Sequence, residues 1–176
     1  PVGDFVGAWK DMEKAVKMGK VRALGISNFD ANDEVWNTIM DSATIKPAVL
    51  QMECHPYAQR LEMRKKAAAA GIQVECWFPL GGAMSNGALL KDPVIKKIAE
   101  AHGKSPAQII LRWHIQEGFS VIPGATNPDY IKENIQIFDF ALSDEEMQQM
   151  RSLNKEQRFF NMPEEGVRRM VRENRL

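Results

Sequence analysis

Cysteine is scarce in this chain. Cys54 and Cys76 are the only two among 176 residues, too few for a disulfide framework, so reduced thiols in a cytoplasmic protein are the simpler expectation. A bias of charge is also missing. The 23 basic residues balance the 23 acidic ones, which removes any general electrostatic reason to bind nucleic acid or an anionic membrane. No apolar run approaches the ~20 residues that a bilayer span requires. The opening PVGDFVGAW lacks a basic stretch followed by an apolar one and is not expected to be a signal peptide. Hairpin signals are absent as well. What remains is a 44% hydrophobic chain of a length that can bury one core, read as a single domain over 1–176 with a charge-rich tail over 155–176.

Strand and helix patterns alternate along it. Asp4 can cap a helix whose apolar face is Phe5, Trp9, Met12 and Val16, stopped at Gly19. Val21 to Ile26 reads as a strand, Asp30 to Met40 as a helix, and Ala48 to Met52 as a second strand. A basic, alanine-rich helix from Leu61 to Ala70 ends at Gly71, and Ile72 to Trp77 is the third strand. Gly81 to Gly87 holds three glycines with Ser85 and Asn86, the composition of a mobile loop. Asp92-Pro93, Ser105-Pro106 and Asn127-Pro128 each announce a helix start. Phe119 to Ile122 is a fourth strand, and Ser143 to Glu146 is a capping box. This alternation predicts an α/β fold with a parallel sheet and right-handed crossovers. Four strands cannot close a barrel of eight, which takes about 250 residues, and they leave two edges that need covering.

The strands end abruptly in polar or unusual residues: Ser27-Asn28, Gln51, Trp77, and Ile122-Pro123-Gly124-Ala125. In a β/α barrel such ends converge on one face, and that face carries the chemistry. A serine, two amides, an aromatic plate and a glycine-bearing turn can hold a planar amide ring with a pyrophosphate. Each also has a plainer reading, as turn former, cap or core. Trp9, Trp36 and Trp113 sit at helical core spacing and read as packing. Glu53-Cys54-His55 does not have metal-ligand spacing, so zinc is not expected there. His55 and His114 read as structural, and Lys65-Lys66 as solvated helix surface.

GKVRALGISNF, PAVLQMECHPY, WFPLG, HGKSPAQIILRW and IPGATNPDYIKENIQIFDF together resemble, in order and spacing, the C-terminal half of the aldo-keto reductases. The resemblance runs from Asp4 to about Leu153. It implies a (β/α)8 TIM barrel of which this chain supplies about the last four β/α units, and reduction of an aldehyde or ketone with NADPH. It implies that Ser27, Asn28 and Gln51 hydrogen-bond the nicotinamide carboxamide, since Asn and Gln offer both donor and acceptor, and that Trp77 stacks on the ring. Leu80 and Gly81 fall where the family's loop passes the pyrophosphate. Ile122, Gly124, Ala125, Thr126 and Tyr130 fall along the adenosine side, with Glu133 and Asn134 at the adenine end. Where the family often has lysine and serine, this chain has Gly124 and Ala125, and Tyr130 replaces an arginine. Without those charge-assisted contacts the preference for NADP(H) should weaken, and NAD(H) becomes an alternative. Phe78 stands where serine is common.

The family's catalytic aspartate, tyrosine, lysine and histidine belong to its N-terminal half, and Pro1 resembles the proline two residues after that histidine. No catalytic residue is therefore assigned here, and the chain alone is expected to be inactive, with a carbonyl compound as the parent enzyme's substrate. Phe159, Phe160 and Met162 are expected either under the barrel or, as the resemblance favours, at the substrate rim. Two other classes stay open. One is a non-catalytic half-barrel whose sheet edges are covered by a second copy or another protein. The other is a regulatory subunit that binds the cofactor as a sensor.

Overall fold

The computed structural model describes residues 3–30, 32–161, 165, 166, 168, 169 and 173. Helix α1 (Phe5–Lys17) begins where the Asp4 carboxylate accepts the Gly7 amide at 2.7 Å. Trp9 is buried and its indole donates to the Ile45 carbonyl at 3.1 Å, with Phe5 and Val16 packed beside it. Met12, expected on the same face, is exposed. Its neighbour Glu13 is buried in its place, because its carboxylate accepts the Thr44 and Ile45 amides at 2.7 and 3.0 Å. An apolar side chain could not satisfy those donors.

Strand β1 (Gly25–Ser27) is shorter than the apolar run beginning at Val21. Its partner β2 (Val49–Glu53) is entered through Pro47, which has no N–H to extend the ladder upstream. Between them α2 (Asp33–Ser42) is capped by Asn32, whose side chain accepts the Val35 amide. Asp30, the expected start, is instead buried in an ion pair with Arg60. Helix α3 (Leu61–Ala69) leads through Gly71, at φ +67°, into β3 (Gln73–Trp77). The expected mobile loop contains a 3-10 turn at Ala83–Ser85. Ser85 is buried there, donating to the Gly82 carbonyl and accepting the Gly87 amide.

The remaining elements are α4 (Ala88–Lys91), α5 (Pro93–His102), α6 (Pro106–Gln116), β4 (Ser120–Val121), α7 (Pro128–Ile135) and α8 (Asp144–Ser152). Asp92, Ser105 and Asn127 cap α5, α6 and α7 with proline at the first position, and Ser143 with Glu146 forms the capping box of α8. Strand β4 covers only the middle of the expected run, although the Ile122 amide still reaches the Cys76 carbonyl at 3.1 Å.

The four strands run parallel in the order β1-β2-β3-β4. Alternation then sorts their side chains. Ile26, Leu50, Met52, Val74 and Cys76 pack with Trp9, Trp36 and Ile39 in one apolar core against the helices. Ser27, Gln51, Glu75 and Ser120 occupy the opposite face. A second core joins Tyr57 to Leu89, Ile95, Ile109, Ile110, Trp113, Met147 and Met150. All three tryptophans expected in the core are buried.

Tyr57 and Asp92 tie the β2–α3 connection to α5. The phenol donates to the Asp92 carboxylate at 2.6 Å, and that carboxylate also caps α5 by accepting the Val94 and Ile95 amides. Burial, reinforced by Asp92, pushes the Tyr57 hydroxyl up to about 12. Tyr57→Phe should cost about 1.5–3 kcal/mol, the worth of a hydrogen bond to a charged group. Asp92→Ala should cost about 2–4 kcal/mol, because it removes the cap and orphans the phenol. Urea denaturation of both variants tests this, and equal losses would show that the cap contributes nothing.

Candidate functional site

Because the strands are parallel, Ser27, Gln51 and the end of β3 at Trp77 lie toward the same edge of the sheet. Register places Ser27 opposite Gln51, Gln51 opposite Glu75, and Glu75 opposite Ser120. One residue from each strand thus forms a polar row on the face turned away from the helices. Just beyond Ser27, the Asn28 amide donates to the Gln51 carbonyl at 2.9 Å, holding Asn28 at the end of the row. Asn28 has φ +59°, a left-handed conformation that asparagine tolerates better than most residues. The Trp77 indole N–H donates to Asn28 Oδ1 at 2.9 Å. The four residues expected to surround a planar ring are therefore neighbours.

Trp77 is half-buried, flanked by Phe78 at 4.6 Å and Phe160 at 5.5 Å between ring centroids. Phe78 follows the strand at φ +51°, a conformation that costs a bulky residue roughly 1–2 kcal/mol. Its ring would lie 3.0 Å from a Cβ on Gly82. A Cβ on Gly81 would come within 2.8 Å of Ser85 and 3.1 Å of Phe159. Glycine is therefore demanded by close approach at both positions.

The other expected residues divide. Leu80 is half-buried, packed against the second core. Ile122, Gly124 and Thr126 are exposed and Ala125 is half-buried along the β4–α7 connection, and Tyr130 is exposed on α7. Nothing lies within 4 Å of a Cβ built on Gly124. Glu133 and Asn134 are half-buried on α7, and the Glu133 carboxylate accepts the Ser105 hydroxyl at the start of α6. Glu133 and Asn134 lie on α7, apart from the group formed by Ser27, Asn28, Gln51 and Trp77. Gln51, read from sequence as a strand ending, sits in the middle of β2, which continues to Glu53.

Glu53, which sequence reading treated as a poor metal ligand, has a different task. Fully buried, its carboxylate accepts Arg158 Nε at 2.9 Å and the Phe159 and Phe160 amides at 2.7 and 3.1 Å, with His55 Nε2 at 3.2 Å. Burial raises its pKa, but these donors outweigh that and hold it down at about 2. The latch fixes the tail. Phe159 stacks on His55 at 4.6 Å, whereas Phe160 reaches the Trp77 ring. Of the aromatic pair expected at the rim, Phe159 is packing and Phe160 faces the site. Met162 and Pro1 lie outside the described residues.

Cys54, Cys76 and His114 bring their donor atoms within 4.8 Å of one another, a grouping that strand and helix contacts create and sequence spacing hides. All three are buried. Burial, then Cys54 beside it, pushes the Cys76 thiol well above its ordinary range. Burial lowers His114 to about 4, and its nitrogens face the Ile110 and Cys54 carbonyls at 2.8 and 3.1 Å. Both His114 nitrogens are thus turned to main-chain carbonyls rather than to the thiols.

A model of the Aldo/keto reductase family matches residues 4–155. This chain belongs to that family. It is 45% identical over 157 residues to aldo-keto reductase family 1 member A1 from Bos taurus, covering 86% of this chain and 48% of the bovine protein. It is 44% identical over 160 residues to morphine 6-dehydrogenase from Pseudomonas putida, covering 85% and 53%. A solved variant of Gox0644 in complex with NADPH superposes with a TM-score of 0.81 at 36% identity, covering 92% of this chain and 57% of that one. The chain thus spans about half the length of the curated relatives it matches. Its four parallel strands are the corresponding part of the family's (β/α)8 barrel.

Glu53→Gln should weaken the latch, seen as faster hydrogen exchange at the Phe159 and Phe160 amides. The sign with pH follows from the lowered pKa. The latch contributes fully above the ordinary glutamate value of 4.5 and is lost as pH falls toward about 2. Unchanged amide protection in the variant would show that the tail is held by its aromatic packing alone.

Proposed function

We infer that this chain supplies the cofactor-holding half of an enzyme that reduces an aldehyde or ketone with a nicotinamide cofactor, NADPH or NADH. The observation that carries this reading is the convergence of Ser27 and Asn28 at the end of β1, Gln51 in β2 and Trp77 at the end of β3. The residues fit a carboxamide-bearing ring. Asn28 uses Oδ1 toward Trp77 and Gln51 uses Nε2 toward Glu75, which leaves Asn28 Nδ2 and Gln51 Oε1 for a ligand. A reduced nicotinamide supplies hydride to a carbonyl carbon when bound.

This chain's residues hold and shield that ring. Trp77 offers a half-buried face for stacking, and Phe78 and Phe160 beside it exclude water. Gly81 lets the backbone approach a pyrophosphate closely. The β4–α7 connection, with Gly124, Ala125 and Thr126, and Tyr130 in the first turn of α7 border the adenosine side, while Glu133 and Asn134 lie further along α7.

The proton has to come from elsewhere. The hydroxyl of Tyr57 is committed to Asp92, and Tyr130 is exposed on α7. His55 lies beneath Phe159, His102 bonds Glu146 at 2.9 Å, and His114 is buried on the helix side of the sheet. Carbonyl reduction needs an acid within hydrogen-bond reach of the forming alkoxide. We assign that acid to an N-terminal half that also covers the edges at β1 and β4. Ile131, Ile135 and Phe138, exposed on and beside α7, offer it apolar surface.

The chain alone should bind NADPH, quenching Trp77 fluorescence, without reducing a generic aldehyde. Joined to an N-terminal half that carries the acid, it should turn over. Reduction by the chain alone would overturn the assignment of the acid, and absence of binding in both forms would overturn the whole reading. The lack of a cation at Gly124 predicts an NADPH preference over NADH of less than about tenfold. Gly124→Lys, which has room for its side chain, should raise that preference about tenfold through a charge-assisted contact with the 2′-phosphate. Isothermal titration with both cofactors measures each value.

A further inference from the structure

We propose that Glu75 and the indole N–H of Trp77 are positioning groups that fix the polarity of the Gln51 and Asn28 amides, and so select a primary carboxamide in one orientation. The proposal rests on the cofactor reading above but assigns to Glu75, Ser120 and the Trp77 indole N–H tasks that the cofactor reading does not.

A terminal amide carries a donor and an acceptor of nearly equal size, so alone it can turn either end to a ligand. Here each amide has one end engaged by a group of fixed character. Gln51 meets Glu75 Oε1 at 2.8 Å, and the second Glu75 oxygen accepts the Ser120 hydroxyl at 2.9 Å. A carboxylate offers only acceptors, so Gln51 must give it the NH2 and keep Oε1 free. Asn28 meets the Trp77 indole at 2.9 Å. Indole nitrogen only donates, so Asn28 must give it Oδ1 and keep Nδ2 free. The two free atoms are thus one acceptor from β2 and one donor from the end of β1.

A primary carboxamide is their complement. Its NH2 donates to Gln51 Oε1 and its C=O accepts from Asn28 Nδ2. Turned over, it would set NH2 against NH2 and C=O against C=O, losing both bonds. Trp77 therefore acts through its ring and its N–H at once, as plate and as orienter. Ser120, at the far end of the row, holds the second Glu75 oxygen and keeps the carboxylate aligned with Gln51.

Kd values in the full chain for three ligands test this. They are NADPH, its 3-acetylpyridine analogue, which replaces the amide NH2 by methyl, and 2′-phospho-ADP-ribose, which has no nicotinamide. Wild type should bind NADPH about tenfold more tightly than the acetyl analogue, one hydrogen bond's worth. Glu75→Gln should weaken NADPH about tenfold, shrink its advantage over the acetyl analogue to less than about threefold, and leave 2′-phospho-ADP-ribose unchanged. Trp77→Phe, which keeps a plate but loses the donor, should weaken NADPH and the acetyl analogue alike, because both keep the C=O that Asn28 serves. Ser120→Ala should show a smaller version of the Glu75 effect.

Equal wild-type affinity for NADPH and the acetyl analogue would overturn the proposal whether or not any variant folds. So would a Glu75→Gln loss shared by 2′-phospho-ADP-ribose in a variant with wild-type circular dichroism. Wild type that binds neither NADPH nor 2′-phospho-ADP-ribose would overturn the cofactor reading itself, a result distinct from either.

Discussion

Parallel register puts Ser27 beside Gln51, Gln51 beside Glu75 and Glu75 beside Ser120, and every feature of the site depends on it. Side chains alternate between faces along a strand, so a slip of one residue would carry all four polar groups into the apolar core. Leu50, Met52, Val74 and Cys76 on the other face would then lose their burial. The hydrophobic core and the polar row are therefore two consequences of one constraint. Neither can be altered in register without the other.

The ends of the strands show where that constraint is locally opposed. Asn28 and Phe78 both take left-handed backbone at the first residue beyond β1 and β3. The chain turns sharply there, so that Asn28 stays bonded to the Gln51 carbonyl and Phe78 folds over Gly82. Strain of this kind persists when the surroundings over-determine it. Here paired strands fix one side, while the Trp77–Asn28 bond and the Phe160 contact fix the other. The Glu53 latch belongs to the same arrangement, since it holds the tail segment from which Phe160 reaches Trp77.

Much of the fold was legible in the sequence because the signals were local. Each proline-led cap and the Ser143 capping box rests on a hydrogen bond spanning two or three residues, and these were found where expected. The expected strands ran long at Val21 and at Phe119 because ladder length depends on the partner, here on Pro47 and on the pairing of β3 with only two residues of β4. Met12 gave way to Glu13 for a similar reason, since the unpaired amides at Thr44 and Ile45 come from a loop far along the chain. At the site, strand ends marked Ser27, Asn28 and Trp77, whereas Gln51, read as an ending, lies inside β2, which runs on to Glu53. Glu75, Ser120 and Arg158 were missed, although a charged residue inside an apolar strand was a visible signal for Glu75. Their roles arise across strands and from the tail, separated by 24, 45 and 105 residues from the groups they bind.

On the proposed function, the direction in which the polar groups face separates this half of the barrel from the part that would protonate a carbonyl. Apart from Glu75, committed to Gln51 and Ser120, the row and Asn28 at its end present neutral amides and hydroxyls, while Glu53 on the same face is committed to the tail. Such groups orient a ligand without exchanging protons with it near neutral pH. A charged, exchanging group in the row would compete with the hydride-bearing ring for water and for counter-charge, and a low-dielectric wall of Trp77, Phe78 and Phe160 would make that competition costly. Holding the ring and delivering the proton therefore call for different surroundings. In this chain a polar row suited to the first task runs across all four strands.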